Sequence, residues 1–120
     1  MTDWNDVARA AIAAIPAEEL RGAVLYLDRR AIAPGEAVPT GRGTLMADRP
    51  SAVAFLDLAP TANWGHPCRY LLIDLATGAV QTAEATHPPF LRGAAPTLAA
   101  IAKGPDVPDW TLAAPFDPPD

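Results

Sequence analysis

Apolar positions in the first fifteen residues recur at helical spacing. Trp4, Val7, Ala8, Ala11, Ile12 and Ile15 fall on one stripe, which predicts an amphipathic helix. Thr2 or Asp3 stands where an N-cap belongs, and Asp3 and Asp6 complement the positive end of the helix dipole. Pro16 ends this helix or opens a short second one over 17–21, with Gly22 as its stop. From residue 23 the period changes. Ala-Val-Leu-Tyr-Leu-Asp at 23–28 is apolar on both alternating sets, the pattern of a strand covered on both faces.

Residues 29–42 hold two prolines, Gly35 and Gly41, and read as a loop with at most a weak edge strand. A short strand is expected over 43–47 and a turn at Asp48-Arg49-Pro50. The run 51–58 is a strong strand candidate. Val53, Phe55 and Asp57 share one face, and Ala52, Ala54, Leu56 and Leu58 the other. The next strand is 69–75, with Leu71 and Ile73 opposite Tyr70 and Leu72. Ala76-Thr77-Gly78 forms a tight turn in which Gly78 is free to take positive φ. A hairpin strand over 79–86 follows, stopped by His87-Pro88-Pro89.

Residues 96–103 read as a short helix between Pro96 and Gly104. The Pro- and Asp-rich stretch beyond is an extended tail, anchored at most by Trp110 and Phe116. The sum is an α+β domain over 1–104, with an N-terminal helix packed on an antiparallel sheet of about four strands and a short C-terminal helix, followed by a tail over 105–120.

At 120 residues the chain is one domain able to bury its own core. Its formal charge of −5 argues against nucleic acid and anionic membrane surfaces, which reward Lys and Arg. A basic protein partner suits that charge. One cysteine makes no internal disulfide, the N-terminus has no basic n-region, and no apolar run reaches membrane length; a cytoplasmic protein is expected.

The chemistry concentrates at 63–70, Asn-Trp-Gly-His-Pro-Cys-Arg-Tyr. A thiol nucleophile at Cys68 needs an imidazole in hydrogen-bond reach. His66 lies two residues away, about 7 Å on extended geometry, so His87 is the other candidate base, with Asp57 or Asp74 to orient it. His66, Cys68 and His87 match no zinc spacing, so no metal or cofactor is implied. Asn63, Trp64, His66, Cys68, Arg69 and Tyr70 instead suit a recognition loop stiffened by Pro60 and Pro67, since Trp, Tyr and Arg dominate binding hot spots. The alternative places all of them in structural roles, with Cys68 as a small buried side chain.

The strand at 69–75, the Asp74-x-x-Thr77-Gly78-x-Val80 hairpin and the Thr86-His87-Pro88 stop resemble the C-terminal half of PepSY-like and YrhB-like immunity-type domains. The resemblance covers 51–89 and the first helix. It implies a non-catalytic role, restraint of a peptidase or neutralisation of a toxin, and supplies no catalytic residues. The resulting expectation is a protein-binding module, an inhibitor, immunity or accessory protein, whose 63–70 loop docks on another protein. The alternative is a thiol or acid–base enzyme built on Cys68 with His66 or His87. Strands apolar on both sides also allow a homodimer through an uncovered sheet face.

Overall fold

The structure, a computed structural model, describes residues 2–40, 43–62, 66–86 and 97–120. Helix α1 (Trp4–Ala13) starts where the capping signal places it: the Asp3 carboxylate accepts from the Asn5 and Asp6 amides at 3.0 Å and 3.4 Å. A one-turn helix, α2 (Ala17–Leu20), follows Pro16. Five strands form one antiparallel sheet: β1 (Val24–Ile32), β4 (Ser51–Asp57), β5 (Cys68–Asp74), β6 (Val80–Ala85) and β7 (Leu98–Lys103), in the order β6-β5-β4-β1-β7. The short strands β2 (Ala37–Pro39) and β3 (Thr44–Met46) pair with each other as a separate ribbon. The α+β class and the antiparallel sheet are therefore as expected, and the sheet is one strand wider.

The extra strand is β7, which replaces the helix expected over 96–103; Pro96 itself lies outside the described residues. Alanine favours a helix locally, but so short a helix is marginal alone, whereas pairing satisfies main-chain groups along β1. A bulge disguises the strand in the sequence. Tyr26 faces Ala100 and Leu25 faces Ala102, which leaves Ile101 as an extra residue. Alternation is broken there, so Ile101 and Ala102 both reach one face while Leu98 and Ala100 reach the other. Gly104 is needed for a different reason than a helix stop. A Cβ at this position would lie 1.9 Å from the Arg21 carbonyl oxygen, a backbone atom that cannot swing aside.

Both sheet faces are covered. On one, α1 places Val7, Ala8 and Ala11 against Leu25, Leu27, Ala54, Leu56, Leu71 and Ile73. The alternation within β4 and β5 is the one the sequence shows. On the other face, Leu45 and Ala47 from the β2–β3 ribbon and Val107, Leu112 and Ala114 from the C-terminal stretch cover Tyr26, Phe55, Cys68 and Tyr70. The β5–β6 hairpin turns as expected: Asp74 Oδ1 accepts from the Ala76 and Thr77 amides, and Gly78 takes φ of 77°. Backbone hydrogen bonding and the Arg49 charge hold the Asp74 carboxyl below its ordinary value. The expected His87-Pro88-Pro89 stop lies outside the described residues.

Residues 105–120 lie along the sheet. Asp109–Thr111 makes a single 3-10 turn, and Phe116 makes a parallel bridge to Ala100. The ties are Val107, Leu112 and Ala114 in the second core, the Ala113 amide donating to Tyr26 Oη at 3.0 Å, and Arg29 bound to Asp117. Trp110 and Phe116, the anchors expected from the sequence, are 75% and 50% exposed.

Candidate functional site: a buried Asp–His pair and its neighbours

Asp57 ends β4 and Cys68 begins β5, and the antiparallel register sets them opposite each other, with Ala85 of β6 beside Cys68. The chain re-enters the sheet at His66, whose amide donates to the Thr86 carbonyl at 2.7 Å. From there the imidazole reaches back across the loop, and its Nε2–H donates to Asp57 Oδ1 at 2.8 Å. The same carboxylate oxygen accepts from the Ala59 amide at 3.0 Å. Both side chains are buried. A buried carboxylate needs such donors, because an unpaired charge in the interior is far costlier than the bonds return.

An aromatic row runs beside this pair. Tyr26 and Phe55 face each other across β1 and β4, and Phe55 meets Tyr70 across β4 and β5 in an edge-to-face contact with centroids 5.2 Å apart. Burial pushes the Tyr70 hydroxyl up to about 12, with the nearby Cys68 adding in the same direction. Burial also raises Tyr26; the bond from the Ala113 amide opposes this and the Asp57 charge reinforces it.

The six residues expected to form a recognition loop thus divide. Asn63 and Trp64 lie outside the described residues. His66, Cys68 and Tyr70 are buried, with Cys68 at 0% exposure, so they are interior groups in this fold. Arg69 points to the helix face, where its guanidinium grips Glu19 of α2 through two bonds of 3.0 Å and 2.9 Å, and its Nε donates to Glu84 of β6 at 2.7 Å. The bond from Arg69 is the main reason the Glu19 carboxyl sits below its ordinary value. This is a latch that ties α2 to the sheet.

For thiol chemistry, His66 and Asp57 supply a base and its orienter, but the sulfur beside them is fully enclosed. His87, the other candidate base, lies outside the described residues. Among the described residues no group of three or more His, Cys, Asp or Glu side chains is arranged to hold a metal ion. Neither arginine takes up Asp57: Arg69 is held by the two glutamates, and Arg49 lies 3.9 Å from Asp74. The signal for His66 was topological: both residues bound the β4–β5 connection, so the hairpin brings them together.

An open cleft of about 520 Å³ lies between the start of α1 and residues 117–120, lined by Trp4, Asn5, Arg29 and three aspartates. Its carboxylates are engaged: Asp3 caps α1, Asp117 binds Arg29 at 2.6 Å, and Asp120 accepts from Asn5 at 3.0 Å. Among the described residues, no helix is long and apolar enough to cross a membrane. No family model matches the chain, and no curated protein or solved structure matches it either.

Proposed function

We propose that this chain is a non-catalytic protein-binding module, an inhibitor, immunity or accessory protein, with a contact surface centred on Trp110. The observation that carries the reading is Trp110 at 75% exposure on a turn tied down on both sides. Lys103 Nζ donates to the Val107 carbonyl at 2.6 Å and pairs with Asp109 at 3.1 Å, and the Ala113 amide is fixed to Tyr26. A tryptophan held out on a pre-ordered turn loses little freedom on docking and is the side chain most often dominant in interfaces. The charge of −5 favours a basic partner. The resemblance to PepSY-like and YrhB-like domains makes a peptidase and a toxin the first partner classes to try.

The test is affinity capture with the wild type, Trp110→Ala and Trp64→Ala, each checked for native circular dichroism. A protein kept by wild type and Trp64→Ala but lost by Trp110→Ala supports this surface. Loss with Trp64→Ala alone moves the contact to the 63–70 loop. Equal recovery by all three, or no capture, sinks both.

A second reading, thiol or acid–base chemistry at Cys68, is favoured by one observation, the 2.8 Å Asp57–His66 bond. It requires a thiolate that meets reagents in the folded protein. The burial of Cys68 predicts the opposite: a thiol reagent reacts only as fast as the fold opens, and rapid labelling of the native protein would revive the enzyme.

A further inference from the structure

The charge of the chain is unevenly placed. Residues 104–120 hold four aspartates, Asp106, Asp109, Asp117 and Asp120, and none of the nine basic side chains. This stretch therefore carries −4 of the formal −5, and the rest of the chain is close to neutral. The segment that holds Trp110 out to solvent is the acidic segment.

Three of these aspartates meet a cation from the body of the fold, yet two of the pairs leave the surface negative. In the Lys103–Asp109 pair the lysine side chain is 19% exposed and the aspartate 87%. In the Arg29–Asp117 pair the values are 28% and 60%. Each cation lies beneath, and its carboxylate faces water. Arg21 and Asp106, 3.9 Å apart, are equally open and offset each other in place. What stands beside the exposed indole is thus the Asp109 carboxylate, one residue away on the same turn over Asp109–Thr111.

An open aromatic ring next to an exposed carboxylate is complementary to a guanidinium. The ring attracts a cation over its face, a planar guanidinium stacks there and gives up less hydration than an ammonium, and its N–H fork suits a carboxylate. An apolar side chain on the partner would cover the indole but leave the carboxylate desolvated without a donor.

We infer that the partner docks on Trp110 through an arginine side chain, stacked on the indole and bonded to the Asp109 carboxylate. This rests on the reading of Trp110 as the contact surface and names the chemistry that surface takes.

The test uses the isotope-labelled full chain and follows the Trp110 indole N–H, assigned by its absence from Trp110→Phe. The probe is a capped Gly-Arg-Gly-Arg-Gly peptide. Two control peptides replace arginine with lysine, or with citrulline, which has the shape of arginine without its charge. The arginine peptide is expected to shift the Trp110 signal to saturation, the lysine peptide to bind about threefold more weakly and the citrulline peptide about tenfold. Asp109→Asn is expected to weaken the arginine peptide about fivefold, and Asp109→Glu, which keeps the charge beside Lys103, to restore it. An equal response to arginine and citrulline, or a response to neither, overturns the arginine seat. An equal response to lysine overturns the stacked guanidinium. A protein captured through Trp110 that excess arginine peptide fails to displace overturns the seat and leaves the surface standing. Capture that survives Trp110→Ala is the failure of the surface itself and takes the seat with it.

Discussion

Against α1 the sheet offers Ala52, Ala54, Leu56, Leu71 and Ile73, aliphatic side chains that a single regular helix covers. Against the ribbon and the C-terminal stretch it offers Tyr26, Phe55 and Tyr70 in a row, Cys68, and the Asp57–His66 pair. The first face is simple packing between two regular elements. The second is covered by irregular chain, and irregular chain brings main-chain groups that need partners, such as the Ala113 amide on Tyr26 Oη. The difference teaches why polar chemistry gathers on one side: hydroxyls and a carboxylate suit a cover that carries unpaired amides, and would be stranded beneath a helix.

Cutting the same element from both sides sharpens that contrast most. Phe55 and Leu56 are neighbours on β4, each at most 2% exposed. Phe55→Ala is expected to cost about 4 kcal/mol and Leu56→Ala about 3 kcal/mol by urea denaturation. A cost for Phe55→Ala below that of Leu56→Ala would mean the second face is loosely packed.

Next comes the pair unique to the second face. Asp57→Ala leaves His66 buried without its carboxylate and is expected to cost about 3 kcal/mol. The Asp57→Ala/His66→Ala double variant should cost scarcely more than Asp57→Ala alone; additive losses in the cycle would mean the two side chains act independently.

A spectroscopic reading of the second face alone is available, because the only tyrosines are Tyr26 and Tyr70 and both lie on it. Both are raised in the fold, Tyr70 to about 12 against an ordinary 10.0. A group raised on folding holds its proton after the unfolded chain would lose it. Its stabilising effect is therefore intact below pH 10.0 and is lost as pH climbs towards about 12. Tyrosinate absorbance should lag the ordinary titration and appear together with unfolding. Two tyrosines ionising near the ordinary value in a folded protein would show that this face is open to water.

The smallest effect belongs to the rim of the helix face. Glu19 is lowered on folding by its bond from Arg69, so its contribution is present above the ordinary carboxylate pKa and fades as pH falls through the lowered value. The pair is part-buried at the rim, with the Arg69 side chain 16% and the Glu19 side chain 33% exposed, and salt screens it in part. Arg69→Ala should shift the urea midpoint less than either core variant and make the acid-side loss shallower; an unchanged acid profile would remove the latch.

What was legible in the sequence was whatever a regular period announces. The stripe from Trp4 to Ile15, the two alternating sets of 51–58 and 69–75 and the Thr77-Gly78 turn each follow from local geometry, and each is found. Residues 98–103 show where that stops. Their alanines favour helix in isolation, and only the unpaired edge of β1, with a bulge at Ile101, makes them a strand. The exposed and buried ends of the candidate site were decided in the same way. Spacing put His66 and Cys68 too far apart for a direct hydrogen bond and named Asp57 only as a group to orient His87, whereas register placed Asp57 across from Cys68 and His66 reached back to Asp57. Trp110 came out to solvent because Val107, Leu112 and Ala114 already fill the space over the second face. Period is a property of neighbours along the chain, and so the sequence by itself determined which residues form faces; which face is covered, by what, and which polar groups meet there depends on pairings between distant segments that only the folded whole selects.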